Sequence, residues 1–229
     1  MNYAAINRAN YRFRNIRWIN TFVILTRYLI AFAFIPSGLK KIAGERFTQM
    51  SRDTPIGYFF EVLYQSGIYW NFIGWAQVIA ALLLMTQRFA TLGAVFFFFI
   101  ISNIWIITIS LHFSGTWVIT SLMLLAVLML LIWDFHKLKY IFFQDNFSVN
   151  VKSPNYPTYN RIWVITGFIL FVVSIAGLLL LEIQPPGSVL LSRIWLSGIL
   201  LIVAVAVYLN NKHYKKFSAN EVEDAIAYC

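Results

Sequence analysis

The sequence predicts an all-α integral membrane protein, and three observations carry that prediction. Of the 229 residues, 60% are hydrophobic and 12% are charged, against roughly 25% charged residues in soluble domains. Six apolar stretches are each long enough to cross about 30 Å of hydrocarbon as a helix. These stretches are unbroken, whereas the strands of a membrane β-barrel alternate apolar and polar residues. The composition therefore excludes a soluble enzyme and a nucleic-acid-binding domain, which would need more polar surface.

The predicted spans divide the chain into two membrane units. In order, they occupy residues 18–38, 70–87, 89–111, 116–135, 161–182 and 189–210. A basic N-terminus at 1–17 precedes a four-helix unit at 18–143. The polar stretch at 144–160 contains two prolines and predicts a linker. A two-helix addition at 161–210 and a tail at 211–229 follow it.

The connection between the first two spans predicts an additional short helix. It contains PIGYFFEVLYQSGIYW, which is apolar but interrupted by Glu61, Gln65 and Gly67. Such a segment is too short and too polar to cross the membrane. We expect a helix near 55–66 that lies at the outer surface or dips into the bundle, where it would serve as a lid.

The basic residues predict that both termini lie in the cytoplasm. Cytoplasmic loops of membrane proteins are enriched in Lys and Arg, and the chain carries 18 of these against 9 acidic residues. With the N-terminus inside, the inner side holds Arg8, Arg12, Arg14, Arg17, Arg88, Lys137, Lys139, Lys152, Arg161, Lys212, Lys215 and Lys216. The outer side holds only Lys40, Lys41, Arg46, Arg52 and Arg193.

Three motifs in the first part of the chain carry a family resemblance. The first is RYLIAFAFIPSGLKKI, in which Arg27 is followed by Gly38 and Lys40. The second is GWAQVIAALLLMTQRFATLGA, across the second helix and its basic turn into the third. The third is LHFSGTWVI, with His112 and Trp117 at the turn between the third and fourth helices. Together these motifs resemble the DoxX-like family of small four-helix bacterial inner-membrane proteins.

The resemblance covers residues 18–140 and implies a four-helix transmembrane bundle in a bacterial inner membrane. Members of this family are often associated with redox enzymes, including a thiosulfate to quinone oxidoreductase subunit. It therefore also implies an accessory role on the quinone side of a membrane complex. The sequence departs from the family pattern at Gln77, where many relatives carry an acidic residue. The last two spans have no counterpart in the minimal family unit, and we interpret them as a docking addition.

Charged side chains of the first span and its outer connection are ligand-binding candidates. Arg27 lies within the span, where a charge costs about 2.5–3.5 kcal/mol on insertion scales unless it is paired or hydrated. If the outer segment folds inward, Glu61 is the expected partner of Arg27. The alternative for Arg27 is a packing role, with hydrogen bonds to helix carbonyls and polar side chains. Lys40 is favoured over Lys41 as an anion-binding residue because it lies in the motif, although such lysines usually extend to lipid headgroups.

Polar side chains on the second and third spans supply the other candidates. Gln77 and Asn103 can contact a ligand or bridge helices by hydrogen bonds worth about 0.6 kcal/mol. Helical spacing places Trp105, Thr108 and His112 on one face and Asn103 nearly opposite. That face predicts one wall of a hydrophobic ligand site, in which His112 exchanges a proton with a quinone carbonyl. The alternative is a histidine that closes the helix turn.

Catalytic and metal chemistry has no candidate residues in the sequence. Cys229 is the only cysteine, which excludes an internal disulfide and a CxxC pair. The other histidines, His136 and His213, lie at predicted inner ends, so neither haem ligation within the bundle nor a zinc cluster is expected. The sequence has no phosphate loop and no nucleophile with a nearby base. We expect no intrinsic cofactor and no intrinsic catalysis, with a quinone or lipid as the bound molecule.

Three hypotheses about function remain open at this point. The first is an accessory inner-membrane subunit that docks a protein partner in an envelope complex and holds a quinone or lipid between its first four helices. The second is a transporter or flippase of a small anion or lipid, with Arg27 and Lys40 as binding cations and a helix break at Pro36 and Gly38. The third is a structural component of a larger envelope machine, in which Ser174 and Gly177 allow close helix contact.

Overall fold

The computed structural model describes residues 16–135, 137–138, 160–183 and 189–227, with side chains as far as His213. Within these ranges the backbone forms helices and connecting turns, and no strand. The helices are α1 (Arg17–Ile42), α2 (Pro55–Gln65), α3 (Ile68–Met85), α4 (Ala90–Ser110), α5 (Thr116–Trp133), α6 (Arg161–Ile183) and α7 (Val189–Ala227). All except α2 are long and apolar enough to cross a membrane. The prediction of an all-α, multi-pass membrane protein with six spans is confirmed.

The distribution of polar and apolar side chains is the reverse of that in a soluble protein. The polar residues Arg27, Gln77 and Asp134 are each at most 2% exposed. Large apolar side chains lie on the outside, for example Leu29 and Leu122, which are 69% and 62% exposed. Hydrocarbon solvates apolar side chains but offers no hydrogen bonds to polar groups. The exposed apolar surface of the long helices therefore contacts lipid.

Four of the helices, α1, α3, α4 and α5, form a bundle. α1 packs most extensively on α3, α3 packs on α4, α4 packs on α5, and a smaller contact joins α5 to α1. α1 and α3 cross with their backbones almost touching at Gly38 and Gly74. A Cβ atom on Gly74 would lie 2.7 Å from the carbonyl oxygen of Gly38. Glycine at both positions permits this crossing, as small residues do between membrane helices.

α1 is continuous through Pro36 and extends beyond its predicted end at residue 38, so the helix break considered for a transporter does not occur. The N–H of Glu45 donates to the carbonyl of Lys40 (2.9 Å) and the N–H of Gly44 donates to that of Lys41 (3.1 Å). These two bonds define a Schellman motif. Gly44 has a φ of +72°, which glycine adopts without a Cβ clash. The longer helix carries both lysines in its last turn.

α2 coincides with the short helix predicted near 55–66. The hydroxyl of Thr54 accepts a hydrogen bond from the N–H of Gly57 (3.2 Å), which caps the helix. Pro55 occupies the first helical position, where its missing N–H has no intrahelical partner to lose. α2 packs on α3 at the end of the bundle where α1 ends and α3 begins, which we call the α2 end.

The chain divides into two compact units between Tyr159 and Asn160, and α6 and α7 form the second unit. The indole Nε1 of Trp195 donates to the carbonyl of Val173 (3.0 Å), and the indole occupies the space that a side chain at Gly177 would need. α7 continues past residue 210 to Ala227, because the sequence from 211 to 227 contains no proline or glycine. Apart from Asn160, the predicted linker at 144–160 lies outside the described residues, as do residues 1–15 of the basic N-terminus.

Candidate functional site

Arg27 belongs to a buried network of polar side chains at the end of the bundle opposite the α2 end. Its guanidinium donates from Nη2 to Asp134 Oδ2 (2.8 Å) and from Nη1 to Gln87 Oε1 (2.9 Å). The hydroxyl of Thr91 donates to the same oxygen of Asp134 (3.0 Å). Arg27 is 1% exposed and Asp134 is 0% exposed, so each charge is compensated mainly by the other. The network joins α1 to the α3–α4 turn and to the end of α5.

The expected pairing of Arg27 with Glu61 is wrong, because the acid beside Arg27 is Asp134. Arg27 lies in the third turn of α1, and side chains on a helix point back toward its N-terminus. The guanidinium therefore reaches the end of the bundle where Asp134 follows α5. Glu61 lies on α2, at the other end. Arg27 is thus a residue that joins helices in this bundle, in line with the packing alternative.

Glu61 instead holds α2 to the loop that precedes it. Arg46 donates to both carboxylate oxygens of Glu61, from Nε (2.9 Å) and from Nη2 (3.1 Å). Arg52 donates to Oε1 (2.7 Å), as does Gln65 from the next turn of α2 (3.1 Å). The hydrogen bonds from Arg46 are the main cause that lowers the pKa of Glu61 to about 2, and the same interaction raises the pKa of Arg46. The carboxylate is therefore charged at every physiological pH.

We expect Glu61→Gln to loosen α2, because glutamine removes the negative charge that pairs with two arginines and replaces one of the two accepting oxygens with an NH2 donor. Hydrogen exchange of the amides of α2 should become about two- to tenfold faster, the range expected for a few weak surface ion pairs. In the native protein the pKa of Glu61 falls from 4.5 to about 2 on folding. The stabilisation by Glu61 is therefore complete above pH 4.5 and is lost as the pH falls toward 2.

Hydrogen–deuterium exchange, corrected for intrinsic rates at each pH, measures this effect. Glu45→Gln is the matched control, since Glu45 is an exposed acid of the same loop that makes no ion pair among the described side chains. Equal exchange rates in α2 for the native protein and Glu61→Gln at pH 7 would contradict the assignment of Glu61 as the residue that holds α2.

A cavity of about 420 Å³ lies between α1, α3 and α4, under α2. Most of its lining is apolar and aromatic, including Phe59 and Leu63 of α2, Phe72 of α3 and Phe99 and Ile104 of α4. Its polar lining includes Ser37, Lys41, Gln77, Asn103 and Thr108, and the phenol of Tyr69 lies on the same lining. Small-molecule sites combine mostly apolar walls with a few placed polar groups, over about 300–1,000 Å³. The cavity therefore has the size and lining of a site for a small hydrophobic molecule.

The two lysines at the end of α1 differ in their surroundings. Lys40 is exposed, whereas Lys41 is 6% exposed and lines the cavity. The ammonium of Lys41 donates to the carbonyl (3.1 Å) and the hydroxyl (3.3 Å) of Ser37. It also lies 4.5 Å from the ring centroid of Phe47 and 5.0 Å from that of Trp70, within cation–π distance. Lys40 was expected to bind an anion in preference to Lys41. Its position does not support this expectation, because only Lys41 of the two lines the cavity.

Gln77 and Asn103 both line the cavity. The hydroxyl of Ser37 donates to Gln77 Oε1 (3.1 Å), so Lys41, Ser37 and Gln77 form one chain of hydrogen bonds along the wall. Gln77 is 2% exposed. The Nδ2 of Asn103 donates to the carbonyl of Phe99 one turn earlier (2.8 Å). The oxygen of the Asn103 amide is therefore the atom left to accept a hydrogen bond from a bound molecule.

The predicted wall of Trp105, Thr108 and His112 does not form. Thr108 lines the cavity together with Asn103, while Trp105 and His112 do not. Trp105 Nε1 donates to the hydroxyl of Ser121 (2.8 Å) and so joins α4 to α5. His112 is exposed in the turn between these helices, with a φ of +49°. Helical spacing places Thr108 and Asn103 on different faces of α4. The cavity is nevertheless wide enough to be lined by both residues.

Sequence reasoning ranked Lys41 below Lys40 and missed Asp134 and Gln87 as key polar residues. A signal for Lys41 was its spacing of four residues from Ser37, which predicts a shared helix face. Asp134 carried a signal as well, because it is an acid at the same predicted inner side as the start of the first span. Gln87 carried no helical-spacing signal, because it lies in the α3–α4 turn with a φ of +58°.

The transport hypothesis relied on Arg27 and Lys40 as a pair of binding cations. The structure does not bring them together, since thirteen positions on one helix correspond to about 20 Å along its axis. Arg27 is also neutralised by Asp134, and Lys40 faces outward. No specific geometry therefore favours these two residues as an anion site.

In the described part of the chain, the fold and site define a multi-pass, helical membrane protein with a buried polar network and an aromatic cavity in its first unit. The described residues contain no group of three or more His, Cys, Asp or Glu side chains that could hold a metal ion. Comparison with family models, characterised proteins and solved structures gave no match. The DoxX-like resemblance therefore stays a prediction that depends on the three motifs.

Proposed function

We propose that this chain is an accessory subunit of a bacterial inner membrane that holds one small hydrophobic molecule, a lipid or a quinone, in the cavity under α2. The observation that carries this proposal is the cavity itself, with aromatic walls and a few buried polar groups. The exposed apolar surface of the surrounding helices supports entry of such a molecule from the bilayer. The chain has no catalytic group in this proposal, and the bound molecule serves a partner.

The proposal includes an orientation with both termini in the cytoplasm. It is supported by the excess of Lys and Arg in the inner loops of the sequence. In this orientation α2 lies on the outer side and covers the cavity there, with Glu61 and its two arginines as the contact that holds it. The docked partner is a protein of the same envelope complex, for which the two-helix second unit provides the additional membrane surface.

Filling the cavity tests the proposal. Ala76 lines the cavity, and we expect Ala76→Phe to remove most of the bound molecule, because the added ring takes up space that the ligand needs. The protein is purified at native expression level in mild detergent, and extracted small molecules and co-purifying chains are identified by mass spectrometry. Ala204→Phe is the matched control, since Ala204 is exposed on α7 in the second unit and does not line the cavity.

The expected result is one lipid or quinone per native chain, retained in Ala204→Phe and lost in Ala76→Phe. A stoichiometric protein that co-purifies supports the accessory role. A native chain that purifies alone and holds no defined small molecule would overturn the proposal. Retention of the molecule by a folded Ala76→Phe variant would place it elsewhere in the protein.

A further inference from the structure

Lys41 is a buried cation that faces the cavity without an acid beside it. The residue is 6% exposed, and none of the described carboxylates forms an ion pair with it. In the adjoining loop and α2, Glu61 is already bonded to Arg46 and Arg52, and Glu45 is exposed. The carbonyl end of α1 supplies about half an elementary negative charge, which offsets only part of the ammonium charge.

Arg27 is also a buried cation of α1, and it is paired with a carboxylate of the protein itself. Arg27 has Asp134 at 2.8 Å, with both side chains at most 2% exposed. Buried charges in proteins are normally paired in this way. Lys41 lies on the same helix and differs in two respects: its partners are neutral, and it lines a cavity. We therefore expect a molecule bound in the cavity to supply the negative charge that pairs with Lys41.

The hydrogen bonds of Lys41 leave room for one more acceptor. An ammonium has three N–H donors, and Lys41 donates two hydrogen bonds, to the carbonyl and the hydroxyl of Ser37. The rings of Phe47 and Trp70 lie close to the ammonium but accept no conventional hydrogen bond. The third donor is available to an oxygen of a molecule in the cavity, and the amide of Asn103 lies on the same lining.

We infer that the occupant is a single-chain amphiphile with an anionic oxygen head group, a carboxylate or a phosphate, bound by the ammonium of Lys41. This inference rests on the proposed function and specifies its ligand. The head group accepts a charge-assisted hydrogen bond from Nζ, while the hydrocarbon chain lies against Phe59, Leu63, Phe72 and Ile104. A volume of about 420 Å³ is in the lower part of the usual range for ligand sites, which favours one chain over two.

Binding of three twelve-carbon probes to the full-length protein tests this inference. The protein is placed in phosphatidylcholine nanodiscs and titrated with dodecanoate, dodecyl phosphate and dodecanol, and bound probe is counted by native mass spectrometry. We expect at least one of the two anions to bind about ten- to a hundredfold more tightly than dodecanol, the range of one charge-assisted hydrogen bond. Which anion binds more tightly identifies the head group as a carboxylate or a phosphate.

Three lysine variants make the test specific to Lys41. Lys41→Met should remove the preference for anions and keep the binding of dodecanol, which also shows that the variant is folded. Lys40→Met changes the adjacent exposed lysine in the same way and should leave the preference unchanged. Lys41→Arg keeps the charge and should keep the preference.

Two results would overturn the inference while the proposed function stands. One is equal binding of dodecanol and both anions by the native protein. The other is an anion preference that survives in Lys41→Met. If no probe binds and the native protein also holds no extracted molecule, both the inference and the proposed function fail.

Discussion

Asp134→Leu should lower the free energy of unfolding by about 3–5 kcal/mol, the cost of leaving a buried charge without its partner. Arg27 is 1% exposed and the carboxylate of Asp134 is its only acidic partner among the described side chains. Leucine removes that carboxylate and keeps the number and branching of the side-chain heavy atoms, so it leaves no cavity. The loss therefore reports the uncompensated guanidinium rather than a cavity. Unfolding in mixed micelles, followed by tryptophan fluorescence, measures it.

Two further variants separate the buried pair from a general effect at the end of α5. The double variant Arg27→Met with Asp134→Leu should recover most of the lost stability, because an apolar pair of similar volume often equals a buried ion pair. Lys137→Met is the control. The ammonium of Lys137 lies 3.8 Å from Asp134 with 47% of the side chain exposed, so its loss should cost under about 1 kcal/mol. A double variant as unstable as Asp134→Leu would contradict the role assigned to the pair.

Gly74→Leu should separate α1 from α3 and lower the free energy of unfolding by about 2–3 kcal/mol, as overpacking does in a tight core. A Cβ atom at position 74 would lie 2.7 Å from the carbonyl oxygen of Gly38, 2.8 Å from the Cβ of Lys41 and 2.9 Å from the backbone nitrogen of Ile42. Two of these three neighbours are backbone atoms, which cannot rotate away. The same displacement would move Lys41 on the cavity wall.

Gly198→Leu is the matched control for the crossing. Gly198 lies on α7, and a Cβ atom there would have no neighbour within 4 Å. Removing a helical glycine at such a position should be neutral or stabilise by about 0.5–1 kcal/mol. Unfolding and binding of the twelve-carbon probes are measured on both variants. A native-like stability of Gly74→Leu would show that α1 and α3 have room to move apart without cost.

These two expectations concern the two ends of the same bundle. The Arg27–Asp134 pair fixes α1 to α5 and to the α3–α4 turn at one end. The Gly38–Gly74 crossing holds α1 against α3 near the cavity at the other. The crossing lies directly beside Lys41, and a ligand site requires its polar groups to be held in place.

The position of the spans was predictable because it depends on local composition. A run of about 20 apolar residues must form a helix in a bilayer, since no other backbone conformation satisfies its own hydrogen bonds there. The short helix at 55–66 was predictable for a similar reason, because its stretch is apolar but too short and too polar to cross the membrane; Thr54 caps it and Pro55 is its first residue. The end of α1 was placed four residues too early, since the Schellman motif at Gly44 depends on backbone geometry that hydropathy does not report.

The partners of the candidate residues were not predictable from position along the chain. Glu61 was assigned to Arg27 because no acid lies at a comparable depth in any predicted span and the outer segment that contains Glu61 could fold inward. In the structure Arg27 pairs with Asp134 and Glu61 pairs with Arg46. The reason is that α1 and α5 are neighbours in the bundle, whereas α2 lies at the other end. Similarly, the opposite faces of α4 were treated as exclusive, but the cavity spans Asn103 and Thr108 together.

The sequence by itself determined the class of this protein: an all-helical chain with six spans, a connecting helix and a strong basic bias. Those properties follow from the interaction of each segment with its solvent, lipid or water. They do not depend on contacts with other segments. The tertiary structure decided which of two adjacent lysines faces the cavity, which acid neutralises Arg27, and where the backbones of α1 and α3 touch. These depend on the rotation and crossing of packed helices, in which one residue of register turns a side chain by about 100°.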